Sequence, residues 1–323
     1  MLNKLDMNIY LMTFISLGLG GLLYNRYQEK HNNIDPGEVM RRVLFNETQL
    51  SKTGKPIMWI HIPFEKNARV WESFYSRTSN NLNLPYVYMT IKSIIASNAN
   101  KFHICIIDDD SFERLIPEWR YKVQELSQPS QGRYRTLGML KLLQLYGGVV
   151  VPPSFLCFKP LDNIKRMLSD NETFFTSSPS KSILSESRVF TPSLSIYGSP
   201  KGSDAIKEII YELENSINQD KSYEFDFNGR IEIILMRVIE DYSCQEISPE
   251  LLGLKTDDGQ VVSCEHLLEE SADILFSQSA CGILIPSQEI QIRNKYSWFE
   301  YENIQNILEG NYMLSHYFRE SLR

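Results

Sequence analysis

Three consecutive carboxylates, Asp108-Asp109-Asp110, follow the apolar run 102–107 directly, and Ser111-Phe112 comes next. Acidic oxygens at the end of a buried strand could hold Mg²⁺ or Mn²⁺. They could also hydrogen-bond a ribose or sugar hydroxyl, or cap the helix that Ser111–Trp119 predicts by accepting its first N–H groups. Arg133 and Arg135 open a helical stretch, where positive charge opposes the helix dipole. A nearby anion relieves that misfit, so both arginines are candidate contacts for a diphosphate; solvated side chains are the plainer alternative. A third group of polar and aromatic side chains follows the first apolar run: Arg69, Trp71, Tyr75 and Arg77. Trp71 or Tyr75 could stack on a base or a sugar ring, and Arg69 or Arg77 could pair with phosphate. The alternative is a surface loop pinned by aromatic packing. His61 and His103 fall in strand runs, where a hydrogen-bonded core position is the plainer reading. His61, at the strand end, also stands among the cofactor-binding candidates.

The elements that must position these groups converge on residues 133–162. Leu137, Leu140, Leu143 and Leu145 recur at helical spacing. Gly147-Gly148 stops that helix, because glycine enters a left-handed conformation without steric cost. Val149-Val150-Val151 is a β-branched run suited to a strand covered on both faces. Pro152-Pro153 ends it, since neither can donate to a sheet ladder. In an α/β sheet, ligands bind outside the carboxyl ends of such strands, so Ser154 arrives at a candidate site. Residues 57–62 and 102–107 read as further buried strands. Pro85 begins a helix with Val87, Ile91, Ile94 and Ile95 on one face. The alternation predicts an α/β fold with a mainly parallel sheet.

The same stretch resembles the DxD glycosyltransferases that use sugar nucleotides, the group of the yeast-type initiating mannosyltransferases and the large clostridial toxins. Tyr146-Gly147-Gly148, Val149-Val150-Val151 and Lys159-Pro160-Leu161 match that pattern in order, and 55–63 resembles its first strand. The segments IHIP, IIDDDSF, YGG and SFLCF are also similar to glycosyltransferase-like proteins of large double-stranded DNA viruses. The resemblance covers roughly 55–200. It implies a nucleotide-diphospho-sugar transferase (GT-A-like) fold flanked by helices, a nucleotide-sugar donor, a glycan or protein acceptor, and Mn²⁺ or Mg²⁺ as cofactor.

This chain departs from the pattern where the cation would be held. The two metal-binding aspartates fall on Pro152 and Ser154, and the Asp and Arg of the preceding helix fall on Thr136 and Met139. Hard cations need carboxylate-type oxygens, so no metal ligand is assigned. Asp108, Asp110 and Ser154 stand as candidates for the reacting centre, and His61, Arg69, Trp71, Arg77, Arg133 and Arg135 for donor binding. Without the paired aspartates, cationic side chains would have to neutralise the leaving diphosphate. The alternative is an inactive glycosyltransferase-fold protein serving as a membrane-associated structural or virion component.

Composition narrows the field. The chain has 323 residues, 42% hydrophobic and 23% charged, with net charge −7. Those are globular values, and the acidic balance speaks against nucleic acid as a general partner. Five cysteines lie far apart without metal-ligand spacing; Cys105 and Cys157, inside apolar runs, read as buried free thiols. No P-loop, GxGxxG after a strand, HExxH or GxSxG occurs. Residues 7–24 carry no charge, and eighteen helical residues span about 27 Å. With Tyr10 and Tyr24 at its ends, this predicts a single-pass membrane anchor over 1–25 and a tether over 26–54. The α/β domain then fills 55–323, and Arg26, Lys30, Arg41 and Arg42 place it on the cytoplasmic side.

Further along, 121–127 reads as a weak strand, 129–132 as a loop and 261–268 as an edge strand. Helices are predicted over 204–216 and 228–240, a hairpin turn at Asp257-Asp258-Gly259, and two short packed helices in the aromatic tail 294–323.

Overall fold

The computed structural model describes residues 54–63, 71–72, 75–76, 84–180, 189–219, 224–269 and 276–322. The expected anchor, 7–24, lies outside them. Among the described residues no helix is long and apolar enough to cross a membrane.

The centre is a six-stranded sheet in the order β4-β1-β5-β8-β7-β9. Its strands are β1 (Ile57–His61), β4 (His103–Ile107), β5 (Gly148–Val150), β7 (Phe174–Pro179), β8 (Phe190–Ser199) and β9 (Gln245–Ile247). Strand β1 pairs in parallel with β4 and β5, and β7 with β9. Only β8 runs against its neighbours. Five carboxyl ends therefore reach the same edge. A short antiparallel pair, β6 (Phe155–Cys157) with β10 (Gly282–Leu284), lies outside this sheet. Trp71–Glu72 (β2) and Tyr75–Ser76 (β3) form an antiparallel hairpin in a unit distinct from the one that holds the sheet.

The apolar runs behave as their composition requires. Met58, Trp59 and Ile60 are buried, as are Val149, Val150 and Val151. Each such side chain contributes about 1.5–3 kcal/mol on burial. Helix α1 (Pro85–Asn98) begins on Pro85, packs against β6, and ends on the buried Asn98. The Asn98 amide donates to Ile94 O (3.1 Å) and Cys157 Sγ (3.3 Å), and its oxygen accepts from Leu161 N (2.9 Å). One polar side chain thus ties the end of a helix to the exit of β6.

Helix α3 (Gln128–Tyr146) leads into β5. Gly147 (φ +72°) and Gly148 (φ +109°) make the turn between them. A side chain at Gly148 would bring its Cβ within 2.3 Å of Ile57 O, because β5 lies directly beside β1. Trp59 Nε1 donates to Gly147 O at 3.0 Å and fixes the turn from the sheet.

Three local expectations are corrected. Residues 121–127 hold a 3₁₀ turn, Val123–Glu125, in place of a strand; only Val123 is buried, so a strand would leave its ladder unpaired. The segment 129–132 belongs to α3, since Pro129 sits in the first turn, where a missing N–H costs nothing. Arg133 and Arg135 therefore lie beyond the first helical turn, and the dipole conflict is weaker than expected. The stretch 261–268 ends in a helix, α7 (Cys264–Leu268), which Ser263 starts by donating its N–H to His266 Nδ1 at 3.1 Å.

Candidate functional site

The carboxyl ends of β1, β4 and β5 meet at one place. Ile62 N donates to Ile107 O (2.8 Å) and Val151 N to Trp59 O (2.9 Å), so the three chains leave the sheet side by side. β1 ends on His61, β4 runs into Asp108–Asp110, and β5 into Pro152–Ser154.

The three aspartates have three different environments. Asp108 Oδ1 accepts from Ser111 N (2.9 Å) and Ser111 Oγ (2.6 Å), starting helix α2 (Ser111–Leu115). Asp110 is exposed and accepts a long hydrogen bond from Gln124 Nε2 (3.3 Å). Asp109 turns inward, its side chain 1% exposed. His61 Nε2 lies 2.9 Å from Asp109 Oδ1. Arg135 donates Nε to Oδ1 at 2.9 Å and Nη2 to Oδ2 at 2.8 Å. Burial opposes ionisation of Asp109, but the hydrogen bonds and charges of His61 and Arg135 outweigh it and lower its pKa to about 2. Asp109 is therefore a fixed anion, unfit for acid–base work near neutrality.

Neighbouring rings brace this cluster. His61 stacks on Phe112 with centroids 5.2 Å apart and planes 10° apart. Phe112 meets Trp119 at 5.2 Å, Trp119 meets Tyr121 at 5.2 Å, and Tyr121 meets Tyr134 of α3 at 4.4 Å. Gly138 of α3 admits Phe112, whose ring would be 2.7 Å from a Cβ there. A hollow of about 310 Å³ lies beyond, against Ile116, Trp119, Arg120, Tyr121 and Lys141.

Of the sequence candidates, His61 and Arg135 are brought together, and the carboxylate that joins them is Asp109, not Asp108 or Asp110. Reading the sequence missed it because three identical residues in a row carry no mark of which one turns inward. Arg133 is buried on the same helix, and Ser154 is buried at the exit of β5, its carbonyl accepting from Ile285 N at 3.1 Å. Arg69 and Arg77 lie outside the described residues. Trp71 lies in the β2–β3 hairpin, described only by its backbone.

No family model matches this chain, and neither does any curated protein. Among solved structures it is similar to "PaToxG Glycosyltransferase", with TM-score 0.33 and 11% sequence identity, over 71% of this chain and 90% of that one.

The residues present at this edge do not fit a divalent cation of the kind that the sequence resemblance implies. Pro152 offers no donor and Ser154 only a buried hydroxyl. Asp109 spends both oxygens on His61 and Arg135, and Asp108 Oδ1 serves Ser111. Among the described residues no group of three or more His, Cys, Asp or Glu side chains could enclose a metal ion. Arg135 directs two of its five N–H donors at Asp109, and among the described residues no other group takes the rest.

Proposed function

We propose that this protein binds a nucleotide-sugar donor at the carboxyl edge of β1, β4 and β5 and transfers the sugar to a hydroxyl of a glycan or protein acceptor. The observation that carries this reading is the central position of β5. The Tyr146-Gly147-Gly148 turn and Val149–Val151 enter the middle of the sheet and leave it where His61 and the Asp108–Asp110 segment also leave. Open α/β sheets bind nucleotides at such an edge. On this reading Arg135, pre-oriented by Asp109, takes a diphosphate oxygen through its remaining donors, with Arg133 adding positive charge on the same helix. Asp108 and Asp110 flank the sugar or ribose hydroxyls, and Ser154 lies beside the reacting centre. Residues 7–24 hold the chain at a membrane, with the large domain on the cytoplasmic side.

The test is a thermal-shift screen of UDP- and GDP-sugars, with and without Mn²⁺. A donor present at a hundred times its dissociation constant stabilises by about 2.7 kcal/mol, a readily measured rise in Tm. No rise with any donor overturns the reading in favour of a glycosyltransferase-like fold used without a donor.

A further inference from the structure

The hollow of about 310 Å³ takes six of its seven lining residues from one stretch, 116–121, and the seventh, Lys141, from α3. A stretch that bends around a space without filling it needs a local device. Glu118 supplies one: its φ is +60°, in the left-handed region that a residue with a side chain enters only at a cost. Trp119 holds the bend from inside. It is 7% exposed, and its Nε1 donates to Tyr121 O at 2.8 Å. The Tyr121 ring stands edge-on to Trp119 and lies 4.4 Å from the Tyr134 ring of α3, yet 43% of Tyr121 stays exposed. Glu118 and Arg120 are exposed, and among the described residues neither side chain has a hydrogen bond or ion pair. Lys141 is paired with Glu214 at 2.6 Å and remains 28% exposed.

The chemistry of this lining selects its ligand. Arg120 is balanced by Glu118 and Lys141 by Glu214, so the rim has no surplus charge with which to hold an ion. It offers a braced aromatic ring beside two donors, Arg120 and Lys141, and one acceptor, Glu118. A sugar ring is the matching partner. Its C–H face is apolar, and its hydroxyls both donate and accept. The volume lies at the low end for small-molecule sites, which suits a single sugar residue. We infer that this hollow is a carbohydrate-binding site for one uncharged glycan residue, apart from the edge where β1, β4 and β5 end. Rings alone connect the two places: Trp119 meets Phe112, and Phe112 stacks on His61, each at 5.2 Å. The inference goes beyond the nucleotide-sugar reading and does not rest on it.

Ligand-observed NMR with the full chain tests it. The probes are the methyl glycosides of glucose, galactose, mannose and N-acetylglucosamine, with inorganic phosphate as the anion control. At least one glycoside is expected to bind with a dissociation constant on the order of millimolar, as befits a ligand of so few atoms. Arg120→Ala and Tyr121→Ala are each expected to weaken that binding about tenfold, the scale of one lost charge-assisted hydrogen bond or ring contact. Arg120 is exposed, so Arg120→Ala should keep the melting temperature of the unaltered chain. If Tyr121→Ala does not fold, Arg120→Ala decides alone. Binding of no glycoside, an affinity unchanged in Arg120→Ala, or displacement of the sugar by phosphate overturns the inference. The two readings fail separately. A glycoside that binds when no UDP- or GDP-sugar does leaves this site standing and removes the donor reading, and the reverse result does the opposite.

Discussion

Arg135 grips Asp109 with two parallel hydrogen bonds, Nε to Oδ1 at 2.9 Å and Nη2 to Oδ2 at 2.8 Å. This fork joins helix α3 to the end of β4, and His61 adds β1 through the same carboxylate. Three elements that meet at the carboxyl edge of the sheet thus share one anion. Such pairs contribute little when exposed, but removal of one partner of a buried pair leaves a charge without compensation.

Asp109→Ala is expected to lower stability by about 3 kcal/mol, because it leaves the Arg135 guanidinium, 19% exposed, without its counter-ion. Urea unfolding of the two chains measures it. Asp108→Ala, which removes only hydrogen bonds to Ser111, is expected to cost about 1 kcal/mol. Equal losses for the two variants would contradict the placement of Asp109 at the hub.

The pH dependence follows from the same carboxylate. The pKa of Asp109 falls from 3.8 to about 2 on folding. A depressed carboxylate pKa means that the unfolded chain binds the proton more readily. The stabilisation is complete above the unfolded pKa and is lost as pH falls from about 4 towards 2. Acid unfolding monitored by circular dichroism is expected to show this loss, and Asp109→Asn to remove that part of the slope. An identical acid transition in the variant would contradict the assignment.

Gly148→Ala is expected to destabilise by about 3 kcal/mol or more. Its φ of +109° is strained for any side chain, and its Cβ would meet Ile57 O at 2.3 Å, a backbone atom of the neighbouring strand. Gly202→Ala is the control: its φ is also positive, at +77°, but no atom lies within 4 Å of the added Cβ. Thermal unfolding of both variants separates the clash from the backbone strain that they share.

Burial should also govern the thiols. Cys105, on β4, is pushed up to about 12 by desolvation, and Cys157, on β6, to about 11 for the same first reason. Both are expected to react with a thiol reagent only at the rate of unfolding, since the thiolate is the reactive form. Asn98→Ala, which removes the amide donor to Cys157 and the acceptor for Leu161 N, should lower stability by about 2 kcal/mol and speed labelling of Cys157. Fast labelling of either cysteine in the unaltered chain would contradict the packing described.

Much of the sheet was legible because its strands are covered on both faces. Ile57–Ile60, Ile104–Ile107 and Val149–Val150 are unbroken apolar or β-branched runs, and that composition survives any detail of packing. The Gly147-Gly148 turn was legible for a related reason: positive φ admits few other residues. The site was legible only in part. His61 and Asp109 are 48 residues apart, and Asp109 and Arg135 another 26. No local period links such positions, and the inward turn of Asp109 depends on where β4 ends. The start of α7 was missed because its reciprocal cap uses His266 where glutamate or glutamine is the familiar partner.

Hydrogen–deuterium exchange, with and without the UDP- or GDP-sugar that gives the largest thermal shift, tests the central claim most directly. The account predicts slower exchange on binding at three separate segments, 61–63, 108–112 and 151–155, which share only the carboxyl edge of β1, β4 and β5. Protection confined to other segments, or none under saturating donor, would contradict it.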